Sequence, residues 1–163
     1  MENNTEFIKG KTMESRVEDA VGLFASGYNC CQAVFAAYAD LYGMDKETAL
    51  KLASPMGGGI GRMREVCGTV SAMAMLSGLA DGNADAADEA KKAEVYQRVR
   101  DMSDEFAKKH GSVICRELLG ILGREKSAAP SARTEEYYAV RPCVKFVRHA
   151  AEIVEKTLFE ESE

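Results

Sequence analysis

Apolar side chains that recur at helical spacing, in runs that end at glycines, constrain the fold of this chain most strongly. Val17, Ala20, Val21 and Phe24 form one stripe of a first helix, and residues 85–109 repeat the amphipathic pattern over a longer run. Strand-like alternation of apolar and polar residues is nowhere convincing. Because only 3 of the 163 residues are proline, few positions interrupt a helix. The sequence therefore predicts an all-α fold.

Glycines and helix-capping residues divide the chain into about six to seven predicted helices, which together form a single-domain bundle. The helices are expected at about residues 17–24, 30–42, 45–52, 66–79, 85–109, 113–122 and 142–158. A glycine-rich loop, residues 57–61, comes directly before the central helix. The polar residues 1–11 are predicted to be a disordered N-terminal segment, and residues 12–163 a single helical domain.

The charge and hydropathy of the chain exclude several classes of protein. A net charge of −5 without a basic block argues against nucleic-acid binding. The longest weakly polar stretch, residues 70–80, is too short for a membrane span, which needs roughly 20 residues. The first residues lack the pattern of a signal peptide, so we expect a cytoplasmic protein with reduced thiols. The five cysteines are therefore not expected to form a disulfide framework.

Four of the five cysteines are predicted near the start of a helix: Cys30, Cys67, Cys115 and Cys143. Three follow the predicted helix-starting residues Asn29, Ser112 and Pro142, and the fourth follows the glycine-rich loop. Free backbone N–H groups and the positive end of the helix dipole favour a thiolate there. Each of the four also lies on the apolar stripe of its helix, which would allow them to meet. Cys31 lies on a different stripe and is interpreted as a packing residue.

The residues alone leave three interpretations of these cysteines open. Unpaired cysteines are often simply buried packing residues. Two of them could instead exchange a disulfide, although the chain has no Cys-x-x-Cys motif. All four could also hold zinc or a [2Fe–2S] cluster, although their long spacings are unusual for such ligands.

Several segments together resemble the redox-active family named for its pattern C-GCAxxG-C-C. The matching segments are residues 27–34, 56–62, 67–68, 115–120 and Cys143 before the last helix. The resemblance maps the four cysteines of the family onto Cys30, Cys67, Cys115 and Cys143. It implies a redox role for them, by thiol–disulfide chemistry or by a metal or [2Fe–2S] centre that transfers electrons. A redox partner protein is then expected.

The central motif of this chain departs from the family pattern at two positions. Thr69 stands where the pattern has alanine, and Ala72 stands where it has glycine. Alanine still permits close helix packing, so we expect the fold to be kept. The departures are expected to affect the detailed geometry around Cys67.

The glycine-rich loop supplies a second set of candidate binding residues: Gly58, Gly59, Gly61 and Arg62. The loop lacks the Lys-Ser/Thr of a phosphate-binding loop and does not match G-x-G-x-x-G. Its glycines are predicted mainly to let the chain pass close to the start of the Cys67 helix. A substrate or anion site helped by Arg62 and Arg64 is the alternative use.

The two histidines do not indicate hydrolase chemistry. His110 is predicted to end a helix, and His149 is predicted at the surface or rim; neither has an evident nucleophile partner. The main alternative to a redox protein is therefore a non-enzymatic binding module. In that interpretation the cysteines are structural and the long helix at residues 85–109 forms a homodimer.

Overall fold

The computed structural model describes residues 13–160. This range contains eight α-helices and no strand, which confirms the all-α prediction. The helices are α1 Val17–Ala25, α2 Cys30–Tyr38, α3 Lys46–Ala53, α4 Gly68–Asp81, α5 Glu89–His110, α6 Cys115–Leu119, α7 Glu135–Val140 and α8 Cys143–Leu158. Two 3-10 turns, Ala39–Tyr42 and Ser54–Met56, extend α2 and α3. The predicted disordered segment, residues 1–11, lies outside the described residues.

The centre of the bundle is the packing of α2 against α4, which α1, α5 and α8 surround. The largest fully buried side chains are Tyr38, Phe24, Phe35, Phe106, Met73 and Leu76. Removing such an apolar side chain from water contributes about 1.5–3 kcal/mol. Within residues 13–160, no helix is both long and apolar enough to cross a membrane.

Two helices begin where their capping residues predict. Asn29 forms a capping box with Gln32: its side chain accepts a hydrogen bond from the Gln32 N–H, and its own N–H donates to the Gln32 side chain. The Asp45 side chain likewise accepts a hydrogen bond from the N–H of Thr48 at the start of α3. Both caps satisfy backbone donors that a helix leaves free at its first turn.

The bounds of other helices differ from the sequence prediction. The helix expected from residue 113 begins at Cys115, and the Ser112 hydroxyl accepts a hydrogen bond from Ile114 instead of capping it. The long helix α5 begins at Glu89, with Asp88 as its cap, rather than near residue 85. The short α7 has no counterpart among the predicted helices. The differences at α5 and α6 lie at helix ends, where local hydrogen bonds compete with the helix.

His149 is buried, so its predicted place at the surface or rim is wrong. Its Nδ1 lies 2.9 Å from Nε2 of His110, and its ring stacks on Phe106. The physical reason is that α8 packs against α5 as well as against α1 and α4. A position away from the Cys143 stripe therefore still faces another helix.

Candidate functional site: four cysteines around one cavity

A short antiparallel bridge brings the start of α4 beside the start of α6. Val66 pairs with Ile114, and the N–H of Cys115 donates a hydrogen bond to the Glu65 carbonyl at 2.6 Å. Because Cys67 and Cys115 directly follow the bridging residues, the pairing holds both cysteines at the same end of the bundle. Residues far apart in the sequence thus become neighbours.

The start of α4 also lies directly against the sulfur of Cys30. A Cβ atom placed on Gly68 would lie 2.5 Å from the Cys30 Sγ, so this close approach requires glycine. Hydrogen bonding with Cys67 and with the backbone N–H groups of Gly58, Cys31 and Gly68 lowers the pKa of the Cys30 thiol. The surroundings of the Cys30 sulfur therefore come from the starts of two helices and from the glycine-rich loop.

All four candidate cysteines lie at helix starts. Cys30, Cys115 and Cys143 are the first residues of α2, α6 and α8, and Cys67 is the N-cap residue of α4. The structure thereby confirms the helix-start placement that the sequence predicted.

Their protonation differs in spite of this common position. The hydrogen bond from Cys67, together with those from the backbone, lowers the pKa of the Cys30 thiol below its ordinary value, although burial opposes the shift. The pKa of Cys67 is raised by its hydrogen bond with Cys30, by burial and by the nearby charge of Cys30. Burial raises the pKa of Cys115 against the effect of Arg64. Burial and the charges of Cys30 and Cys115 raise the pKa of Cys143 to about 12.

The expectation that helix starts favour thiolates at all four positions therefore holds only for Cys30. At Cys115 and Cys143 burial raises the pKa and outweighs the helix end, and at Cys67 the hydrogen bond with Cys30 and burial do so together. The fifth cysteine, Cys31, is fully buried in the core, and burial raises the pKa of its thiol. Its environment fits the predicted packing role.

The four cysteines line one cavity of about 480 Å³, a size suited to a small molecule. Cys30 and Cys143 are half-buried, whereas Cys67 and Cys115 are buried. Apolar side chains form much of the remaining wall: Phe24, Leu118, Leu119, Tyr137 and Phe146.

The glycine-rich loop forms another part of the wall in an unusual conformation. From Gly58 to Arg62 all five residues have left-handed φ angles, including the non-glycine residues Ile60 and Arg62 with φ of 61°. Such a conformation costs roughly 1–2 kcal/mol for each residue that carries a Cβ. The turn is held by backbone hydrogen bonds within the loop and its flank, such as Glu65 N–H to the Gly59 carbonyl at 2.9 Å.

The structure separates the candidate residues of this loop. Gly58, Gly61 and Arg62 line the cavity. Gly59 is buried behind it, where an added Cβ would lie 2.7 Å from the Cβ of Cys115. The glycine-rich loop thus packs directly against Cys115.

Arg62 and Arg64 have different surroundings. Arg62 donates a hydrogen bond to the Ser127 carbonyl at 2.7 Å and pairs with Glu125 at 3.7 Å, and so fixes the loop that covers the cavity. Arg64 is only 6% exposed, and its guanidinium lies 3.8 Å from the Cys115 sulfur. Its Nε has no hydrogen-bond partner among the described residues.

Sequence reasoning missed three further residues of the wall: Arg133, Tyr137 and Arg141. They come from the segment between α6 and α8, which has no motif that marks it as part of a site. Arg133 donates hydrogen bonds to the carbonyls of Phe24 and Tyr28 and lies over the Phe24 ring at 4.6 Å. These contacts fasten the segment to the end of α1.

The arrangement of the cysteines does not match a metal centre. Within residues 13–160, no group of three or more cysteine, histidine, aspartate or glutamate side chains is placed so that it could hold a metal ion. A four-thiolate zinc or [2Fe–2S] site needs four sulfurs at bonding distance from the metal. Among the four, Cys67 directly precedes Gly68, the residue that packs against the Cys30 sulfur.

Fold and site together define an all-α protein with four cysteines at helix starts around one cavity. A sequence model of the family described as "Putative redox-active protein (C_GCAxxG_C_C)" matches residues 28–157, which contain all of the cysteines. The chain belongs to this family, as its cysteine pattern indicates. No curated protein and no solved structure matches it.

Proposed function

We propose that the protein is a dithiol–disulfide redox protein in which Cys30 is the attacking thiol and Cys67 is its partner. One observation carries this proposal: the start of α4, where Cys67 precedes Gly68, lies directly against the Cys30 sulfur, and both cysteines line the same cavity. Hydrogen bonding with Cys67, which lowers the pKa of Cys30, agrees with this placement. Membership of a family described as redox-active supports it.

The proposed reaction reduces a disulfide substrate. The Cys30 thiolate attacks one sulfur of the substrate, the substrate S–S bond breaks, and one substrate thiolate leaves with its electron pair. The Cys67 thiol then loses its proton and attacks the Cys30 sulfur, which releases the second substrate thiolate. Two electrons pass from the two cysteines to the substrate, both released thiolates can take up protons, and Cys30 and Cys67 end as a disulfide. The reverse sequence would oxidise two thiols.

The protonation of the pair suits this order of events. A thiolate attacks and a thiol does not, so the group with the lowered pKa starts the reaction. Cys67 stays protonated until the charge on Cys30 is lost in the mixed disulfide. Its pKa should then fall, because the neighbouring charge is among the causes that raise it. Cys115 and Cys143 remain neutral thiols in the wall, since burial raises their pKa.

The first test is the reactivity of individual cysteines. We would alkylate the native protein with iodoacetamide over a range of pH and identify the modified peptides by mass spectrometry. Cys30 should react first, with an apparent pKa below the ordinary thiol value of about 8.5. Cys31 should react only after unfolding. Cys67→Ala should raise the apparent pKa of Cys30, whereas Cys31→Ala should leave it unchanged. An ordinary pKa for Cys30 would contradict the proposal.

The second test is the disulfide itself. Mild oxidation should join Cys30 to Cys67, as peptide mapping would show, and either Cys30→Ser or Cys67→Ala should prevent it. Cys115→Ser and Cys143→Ser should still allow it. Iron, zinc and sulfide should be measured in anaerobically purified protein at the same time. Stoichiometric metal, or thiols that all resist oxidation, would overturn the dithiol proposal, the latter in favour of structural cysteines in a binding module.

A further inference from the structure

The wall of the cysteine cavity is positively charged although the protein is negative overall. Its lining side chains include four arginines and no aspartate, glutamate or lysine: Arg62, Arg64, Arg133 and Arg141. The chain as a whole has a net charge of −5. Such a local excess of one charge in a partly enclosed space attracts ligands of the opposite sign.

Two of the four arginines already have partners within the protein. Arg62 is held by Glu125 and Ser127, and Arg133 by two backbone carbonyls. The other two, Arg64 and Arg141, have no carboxylate within 4 Å among residues 13–160. A buried guanidinium without a carboxylate is costly, and a bound anion would offset that cost.

Arg64 carries this argument furthest. It is 94% removed from solvent, it lines the cavity beside the Cys115 sulfur, and its Nε has no hydrogen-bond partner in the described part of the chain. Arg141 precedes the first residue of α8 by two residues and lies with its guanidinium 5.5 Å from the centre of the Tyr137 ring. Because Arg64 and Arg141 line the same cavity as Cys30, an anion bound by them would lie in that cavity.

We propose that the cavity binds a small organic disulfide that carries a carboxylate, or the corresponding thiol, with Arg64 and Arg141 holding the carboxylate. This inference rests on the proposed dithiol function and names the class of its substrate. Guanidinium groups match the planar geometry of a carboxylate. The apolar wall of Phe24, Leu118 and Phe146 accommodates the organic part.

The reaction on this substrate follows the exchange described above. The Cys30 thiolate breaks the substrate disulfide, Cys67 closes the protein disulfide, and two carboxylate-bearing thiols leave. Arg64 and Arg141 take no part in bond making. They are positioning residues that place the substrate beside Cys30.

The test compares an anionic disulfide with a neutral one. Dithiobis(nitrobenzoate) is aromatic and carries carboxylates, whereas dithiodipyridine is aromatic and neutral, and both release a coloured thiol. We would measure the rate constant of Cys30 with each. Arg64→Gln and Arg141→Gln should each slow the anionic reagent about tenfold, the effect of losing one charge-assisted contact, and leave the neutral reagent almost unchanged.

A matched control removes the same charge elsewhere. Arg100 is exposed on α5, no residue of which lines the cavity, so Arg100→Gln should change neither rate constant by more than a small factor. If Arg64→Gln does not fold, Arg141→Gln alone decides, since Arg141 is only half-buried. Equal slowing of both reagents, or of neither, would overturn the inference.

Protection experiments on the unmodified protein give an independent measurement. Benzoate should slow the reaction of Cys30 with dithiodipyridine, and inorganic phosphate should slow it less because it cannot use the apolar wall. Equal protection by the two anions would overturn the assignment of an organic ligand. Failure of the dithiol proposal would look different: Cys30 and Cys67 would form no disulfide even with the neutral reagent.

Discussion

The side-chain oxygen of Thr69 lies 3.1 Å from the sulfur of Cys67, within hydrogen-bonding distance. Thr69 is fully buried and occupies the position where the family pattern has alanine. Its hydroxyl lowers the pKa of Cys67, in opposition to the larger effects of Cys30 and burial. The departure from the family pattern therefore adds a polar contact to the second thiol of the proposed pair.

Removing the hydroxyl should slow the closure of the protein disulfide. In Thr69→Val the side chain keeps its shape but can no longer stabilise the Cys67 thiolate, so the pKa of Cys67 rises. A hydrogen bond contributes about 0.5–1.5 kcal/mol, which corresponds to closure about two- to tenfold slower. Release of the second thiol from dithiobis(nitrobenzoate) measures this step. The same change at the exposed Thr157 serves as the control, and an unchanged closure rate in Thr69→Val would contradict the assignment.

Adding a methyl group at Gly68 should disturb Cys30 directly. The new Cβ in Gly68→Ala would lie 2.5 Å from the Cys30 sulfur, so the sulfur must move away from the start of α4. It would then lose hydrogen bonds that lower its pKa, and the pH profile of alkylation should shift upward.

Gly78 on the same helix provides the matched control. A Cβ there meets nothing within 4 Å, and alanine favours a helix over glycine by up to about 1 kcal/mol. Gly78→Ala should therefore raise the melting temperature without changing the reactivity of Cys30. The prediction for Gly68 fails if both variants show the same alkylation profile.

Removing either of two helix caps should lower the stability of the protein, but only one of them should affect the site. Asn29→Ala and Asp45→Ala each remove a side-chain cap, which costs about 1 kcal/mol of unfolding free energy. Asn29 also donates to the Ser54 carbonyl and contacts Gly57, so it links the start of α2 to the glycine-rich loop. Only Asn29→Ala should therefore alter the alkylation of Cys30. Urea unfolding and alkylation of both variants would check this, and a similar loss of reactivity in Asp45→Ala would argue against the link.

The paired histidines should make the protein less stable in mild acid. Burial is the main cause that lowers the pKa of both histidines. The charges of His149 and Lys109 lower the pKa of His110 further, and the charge of Lys109 lowers that of His149. A histidine whose pKa is lower in the folded state binds fewer protons there than in the unfolded chain. The contribution of this pair to the free energy of unfolding is therefore fully present above the unfolded-state pKa of about 6.5, and it is lost as the pH falls below that value.

The urea midpoint at about pH 7.5 and about pH 5.5 would measure this effect. His149→Phe keeps an aromatic ring beside Phe106 but removes the titrating group, so its midpoint should depend less on pH. The charges of Glu105 and Glu152 raise the pKa of His149 and so partly offset the lowering. Both residues are unchanged in this variant. An unchanged pH dependence in His149→Phe would show that other groups are responsible.

The sequence by itself determined seven of the eight helices in residues 13–160, the capping residues Asn29 and Asp45, and the placement of four cysteines at helix starts. These are local properties, since capping and periodicity depend on residues a few positions apart. The same local logic misplaced the start of α6, because Ser112 makes a different hydrogen bond from the one its position suggests.

Only the tertiary structure decided which cysteines interact and which one has a lowered pKa. Cys30 meets Cys67 through the close approach of α2 to α4 at Gly68, and the bridge of Val66 with Ile114 adds Cys115. Arg64 and Arg141, the cavity arginines that have no carboxylate partner among the described residues, come from segments that are distant in the sequence. The pKa of a thiol and the charge of a cavity depend on burial and on contacts between such segments, which no local pattern records.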